Sequence, residues 1–124
     1  MDFIGVIIEE SLDNKGVLKL IKIIDTKVEK VTSEHKTPWI KKWTLHTILV
    51  KEKFADLVAK KLSESLDYEH NWYSDFKNDL IHFIIFKNKV FKINRTKNEY
   101  NNVIKYGLSL GIPDYQLDFS DKIK

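Results

Sequence analysis

The 124-residue chain has no cysteine, a single arginine, two prolines, four glycines and no apolar run approaching the ~18 residues that span a bilayer. Without cysteine there is no disulfide framework, thiolate nucleophile, iron–sulfur site or zinc ribbon. Of the 21 basic residues only Arg95 is an arginine, which is a weak nucleic-acid signature because arginine's planar fork carries most bidentate phosphate and base contacts. The four histidines, His35, His46, His70 and His82, show no short ligand spacing, so no metal site is expected, and no cofactor. Gly111-Ile112-Pro113 lacks the glycine spacing and the following helix of a phosphate loop, and reads as helix punctuation. At the N-terminus, Met1-Asp2-Phe3 has an acid where a signal peptide carries positive charge, and a cytoplasmic location is expected, with no membrane partner.

The composition is that of a folded chain: 43% hydrophobic, 12% aromatic and 31% charged, with a net charge of +3. The length is that of one domain, taken as residues 1–124. Phe3 to Ser11 reads as a strand buried on both faces, leaving through the turn cluster Asp13-Asn14-Lys15-Gly16. Val17 to Leu20 is expected to form a helical turn and Lys22 to Thr32 a strand, the competing reading being one amphipathic helix. Ser33 to Lys42, with Thr37-Pro38-Trp39, breaks the periodicity as a loop, and Trp43 to Val50 follows as a strand. Phe54, Leu57, Val58, Leu62 and Leu66 recur at helical spacing, placing a helix over Glu52 to Leu66. A meander of three strands, Trp72 to Lys77, Leu80 to Phe86 and Val90 to Asn94, pairs antiparallel.

Thr96-Lys97-Asn98-Glu99 has capping-box spacing ahead of a second helix with a Tyr100, Val103, Ile104, Leu108 stripe, which should stop at Gly111. Tyr115 to Phe119 docks as a short strand or an ordered tail. The fold expected from this pattern is α+β: a two-layer sandwich, mainly antiparallel sheet with two helices, ferredoxin-like or related.

Three segments carry a resemblance: Trp43-Thr44-Leu45-His46-Thr47, His70 to Asn78 (HNWYSDFKN), and Gly111 to Phe119 (GIPDYQLDF). In these the chain resembles a family of small uncharacterised prokaryotic conserved proteins, over nearly its whole length. The resemblance implies a single cytoplasmic domain and transfers no functional residue.

Candidate site residues come from the crowding of aromatic and polar groups before Leu80 to Phe86. His46, Trp72, Tyr73, Asp75 and His82 are expected to line an aromatic and polar concavity for a small molecule or peptide. If strand register brings the faces together, His46 or His82 serves as general base with Asp75 fixing its tautomer; the plainer reading is a pair of unconnected structural histidines. Lysines interleave with Trp39 and Trp43 from Lys36 onward, as on a single-strand stacking surface or a protein-interaction module, the plainer alternative being tryptophans that anchor a loop. Nucleic acid is not the expected ligand. Glu9-Glu10 at the end of the first strand reads as a solvated acidic pair.

Overall fold

The computed structural model describes residues 1–35 and 37–119. Six strands, β1 (Phe3–Ile8), β2 (Lys22–Lys30), β3 (Lys42–Val50), β4 (Tyr73–Lys77), β5 (Ile81–Phe86) and β6 (Lys89–Asn94), form one sheet in the order β2-β3-β1-β4-β5-β6. All five pairings are antiparallel. Helix α1 (Ala55–Ser65) follows β3, and helix α2 (Lys97–Ser109) follows β6. The fold is therefore α+β with helix layered on antiparallel sheet, as expected from the pattern. Among the described residues no helix is long and apolar enough to cross a membrane.

Because successive strand residues point to opposite faces, the sheet has two separately packed sides. On one side, Phe3, Ile7, Ile48, Val50, Phe76, Phe83 and Ile85 meet Ala55, Val58, Ala59 and Leu62 of α1. Phe3, Phe76 and Phe83 anchor this core, with ring centroids 4.8–5.4 Å apart. On the other side, Ile84, Phe86 and Ile93 meet Tyr100 and Val103 of α2, together with Ile112, Leu117 and Phe119. Helix α2 covers only the β5–β6 end of its face. Among the described residues no helix covers the rest of that face, and Ile4 and Val6 of β1 are 42% and 39% exposed. The expectation that β1 is buried on both faces is thus corrected: its Ile/Val density reads like a doubly covered strand, but no helix among the described residues covers its second side.

Val58, Leu62 and Leu66 of the first expected stripe and Tyr100 and Val103 of the second are buried, but each stripe differs in part from the expectation. Phe54 and Leu57 are about half exposed, while Ala55 and Ala59 are buried, because small side chains let the α1 backbone approach the sheet closely. In α2, Leu108 is exposed and Gly107 takes the inward position, where the Leu117 side chain packs into the space of the missing Cβ. Thr96 is the N-cap of α2, but its hydroxyl donates to Glu99 Oε2 at 2.9 Å instead of capping a backbone N–H. At the other end Gly111 has φ +89°, with Gly111 N–H donating to Leu108 O and Ile112 N–H to Gly107 O, the two bonds of a Schellman cap. Tyr115 to Phe119 resolves as a 3₁₀ turn, Asp114–Leu117, and a packed tail, not a strand. The turn at Lys15–Leu20 and the strand after it are as expected, with β2 as an edge strand bulged between Ile23 and Asp25.

One glycine sets how closely the central strands pack. Gly5 pairs with Phe76 across β1 and β4, and a Cβ built on it would lie 1.9 Å from the Asp75 carbonyl oxygen and 2.6 Å from Phe76 Cα. Both obstacles are backbone, so a side chain here must push β1 and β4 apart. Gly5→Ala is expected to cost about 3 kcal/mol or more, seen as a fall in the urea midpoint. Gly16→Ala meets only the Asn14 side chain and is expected to cost far less. Equal midpoints for the two variants would show that the β1–β4 contact is not sterically closed.

Candidate functional site

Strand β1 pairs on both sides, and its register decides which polar residues meet. Val6 stands opposite Thr47 on β3 and Asp75 on β4, whereas Ile7 stands opposite His46. A single residue step therefore puts Asp75 on the open face and His46 on the α1 face. At the end of the sheet where β1 finishes and β4 begins, the open face runs into a cavity of about 530 Å³. This lies within the usual range of small-molecule sites. Its floor is Val6 and Ile8 of β1, Trp43 and Leu45 of β3, and Tyr73 and Asp75 of β4.

Three loops supply the walls and are laced together by hydrogen bonds. His35, Thr37 and Trp39 come from the β2–β3 connection, Glu69 to Trp72 from the segment after α1, and Gly111 to Pro113 with Gln116 from the segment after α2. Tyr115 Oη donates to Glu34 O at 2.6 Å, Gln116 Nε2 donates to His35 O at 3.1 Å, and Asn71 Nδ2 donates to Leu110 O. Trp43 Nε1 donates to Thr37 Oγ1 at 2.9 Å. The Trp39 ring stacks on His70 with centroids 3.7 Å apart, and His70 Nδ1–H donates to Asp67 Oδ2 at 2.5 Å. His35 accepts the Thr32 N–H on Nδ1, which places its own proton on Nε2, toward Glu29. Trp39 and Trp43 lie 6.2 Å and 5.8 Å from Trp72, inclined at 83° and 59° to it. The two tryptophans of the Lys-Trp stretch read as a separate stacking surface thus share one cavity with the aromatic crowding near Trp72, while Lys41 and Lys42 do not line it; Lys36 lies outside the described residues.

Asp75 is the most chemically distinctive group in the cavity. Its Oδ2 accepts from His82 Nε2 at 2.6 Å, and His82 Nδ1 lies 2.7 Å from the Tyr100 hydroxyl. A carboxylate only accepts, so the His82 proton is on Nε2 and in the neutral ring Nδ1 accepts from Tyr100. His82 is fully buried behind Asp75 and does not line the cavity. Among the described residues no group hydrogen-bonds Asp75 Oδ1. Tyr73 donates its hydroxyl to Gln116 O. Burial, and secondarily the negative charge of Asp75, push the Tyr73 phenol well above its ordinary range, so it stays protonated and acts as a donor.

Of the five residues expected to share a concavity, Trp72, Tyr73 and Asp75 line it, His82 supports it from behind, and His46 does not belong to it. His46 is instead buried on the α1 face, with Nε2 3.0 Å from Glu9 Oε1 and Nδ1 2.8 Å from Thr26 Oγ1. It ties the edge strand β2 to the turn after β1. The acidic pair is also engaged and not merely solvated: Glu10 accepts from Thr44 N–H at 2.5 Å and from Thr44 Oγ1–H at 2.7 Å. Trp39, Trp43, His35, His70 and Gln116 are the cavity residues that strand patterning did not bring together with Asp75. Trp43 reaches Asp75 through the pairing of β3 with β1 and of β1 with β4, and the other four through loop docking, for which the sequence offers no periodic signal. Among the described residues no group of three or more histidines and acids is placed to hold a metal.

Compared with known proteins, the chain matches no family model, no curated protein and no solved structure.

Carboxylates stabilise the frame of this site in their charged form. At Asp67 burial opposes charge, but the bond from His70 and the Glu69 N–H outweigh it and hold the carboxyl below its usual range. The same balance, burial against the two Thr44 donors, lowers Glu10, and the bond to His35 lowers Glu29. A depressed folded-state value contributes stability above the unfolded-state value and loses it as pH falls through the folded one. The contribution of these three carboxylates is therefore expected to hold as pH drops from neutral and to decline below about pH 4.5. Urea midpoints measured across that range in the parent and in Asp67→Asn check this. The variant's decline should be shallower, and superimposable pH profiles would remove Asp67 from the account.

Proposed function

We propose that the chain is a binding protein whose cavity accepts a small molecule or the end of a peptide. The observation that carries this reading is the convergence of Trp39, Trp43, Trp72 and Tyr73 with the Asp75 carboxylate on one cavity of about 530 Å³. Aromatic walls supply apolar contact area and a few fixed polar groups supply orientation, which is the usual composition of a small-molecule site. The hydrogen bonds that lace the three loops support a cavity already shaped before a ligand enters, which lowers the entropy cost of binding. The three segments that resemble small uncharacterised prokaryotic proteins all contribute lining residues, so membership of that family, with a cytoplasmic location, is proposed on the same residues. A ferredoxin-like relationship is proposed no more finely than the α+β layering. Nucleic acid is a poorer candidate, since no described lining residue is a lysine or arginine able to meet a phosphate.

A second reading, an enzyme, is favoured by the Asp75–His82–Tyr100 chain of hydrogen bonds. Asp75 would then be the group that touches substrate, and His82 would be a positioning residue. That reverses the roles expected for a histidine base and an aspartate partner.

Binding is tested by screening small neutral, anionic and cationic fragments for thermal stabilisation and mapping hits by backbone amide chemical shifts. A ligand at a hundred times its Kd stabilises by about 2.7 kcal/mol, a shift of several degrees in Tm for a domain of this size. Stabilising fragments that perturb the 35–43, 69–75 and 111–116 segments are expected. A screen in which no fragment of any charge class perturbs them would overturn the binding reading.

A further inference from the structure

We propose that the ligand is a small organic cation, an alkylated or quaternary ammonium group, attracted by the tryptophan rings and neutralised by Asp75. This deepens the reading above and rests on the cavity being a ligand site. The first observation is a charge inversion. The chain carries 21 lysines and arginines against 18 acids, yet among the described residues lining the cavity there is no lysine or arginine and there are two carboxylates, Asp75 and Glu69. The histidines at the rim do not restore positive charge: His35 accepts a backbone N–H and so is neutral in this arrangement, and His70 is matched by Asp67. A free anion would meet Asp75 with no counter-charge, whereas a cation would satisfy its Oδ1.

The second observation is the ring geometry. All three tryptophans of the chain line the cavity, and Trp39 and Trp43 stand steeply inclined to Trp72 instead of parallel to it. Parallel rings make a slot that suits a flat heteroaromatic ligand. The His70 ring takes one face of Trp39 and Trp72 is only 6% exposed, so the ring surface a compact cation meets is the other face of Trp39, which is 45% exposed, with Trp43 beside it, and cation–π attraction grows when the cation is desolvated. The His82 bond fixes the Asp75 carboxylate from behind, so its charge is held in place before the ligand arrives.

Because every tryptophan is at the cavity, tryptophan emission, excited selectively over the five tyrosines, reads this site. The protein is titrated with tetramethylammonium, with choline, and with 3,3-dimethylbutan-1-ol, the neutral carbon isostere of choline. Saturable emission changes are expected with both cations, and the neutral alcohol should bind about tenfold or more weakly than choline. Asp75→Asn should weaken choline by about tenfold while leaving the alcohol unchanged. Trp39→Leu, at a ring that is 45% exposed and so expected to leave the fold intact by circular dichroism, should weaken choline as well. Absence of a saturable response to either cation, or equal binding of choline and its isostere in the parent protein, overturns the proposal. In that event, anionic or neutral fragments mapping to the cavity would leave the binding reading standing, while a screen with no hits there would remove both.

Discussion

The registration of β1 between β3 and β4 is the constraint on which the other features depend. Gly5 lets the β1 and β4 backbones close to a distance that no side chain permits, and the pairing of Val6 with both Thr47 and Asp75 follows from that fit. The register assigns Ile7, His46, Ile48 and Phe76 to the α1 side, and Val6, Leu45, Tyr73 and Asp75 to the other. A slip of one residue would move the whole apolar set off the core and exchange the positions of His46 and Asp75.

Unequal coverage of the sheet turns that register into a site. Helix α1 has a full partner surface, whereas α2 reaches only β5 and β6, leaving β1 and β3 with partly exposed apolar residues on that side. The loop after α2, redirected at Gly111, then folds back over the bare region and meets the β2–β3 connection through Tyr115 and Gln116. The cavity forms where cover ends. Asn71, Tyr73 and Gln116 donate to backbone carbonyls of neighbouring loops, which makes the walls mutually dependent.

The two buried histidines show how similar residues come to have different roles. Both contact an acid and a hydroxyl: His46 contacts Glu9 and Thr26, and His82 contacts Asp75 and Tyr100. His46 joins an edge strand to a turn and serves the frame. His82 orients a carboxylate that faces a cavity, and so acts on whatever occupies it.

Much of the fold was legible in the chain. The absence of cysteine, the helical spacing from Val58 to Leu66, the turn signals between the last three strands and Gly111 as a helix stop are local properties, and local sterics and hydrogen bonding determine them wherever the chain lies. The pairing of Trp72, Tyr73 and Asp75 was legible for the same reason, since they are neighbours in one strand and its approach. What only the tertiary structure decided was which faces coincide and which loops meet. His46 and Asp75 looked like partners because each alternates correctly within its own strand, but their relative side depends on a one-residue register between strands. Ala55 outranks Phe54 on α1 because a close helix-to-sheet distance rewards small side chains, a property of the pair of surfaces and not of the helix. Trp39 and His70 stack across 31 positions of chain only because two loops dock, and no periodicity in a single sequence records such a contact.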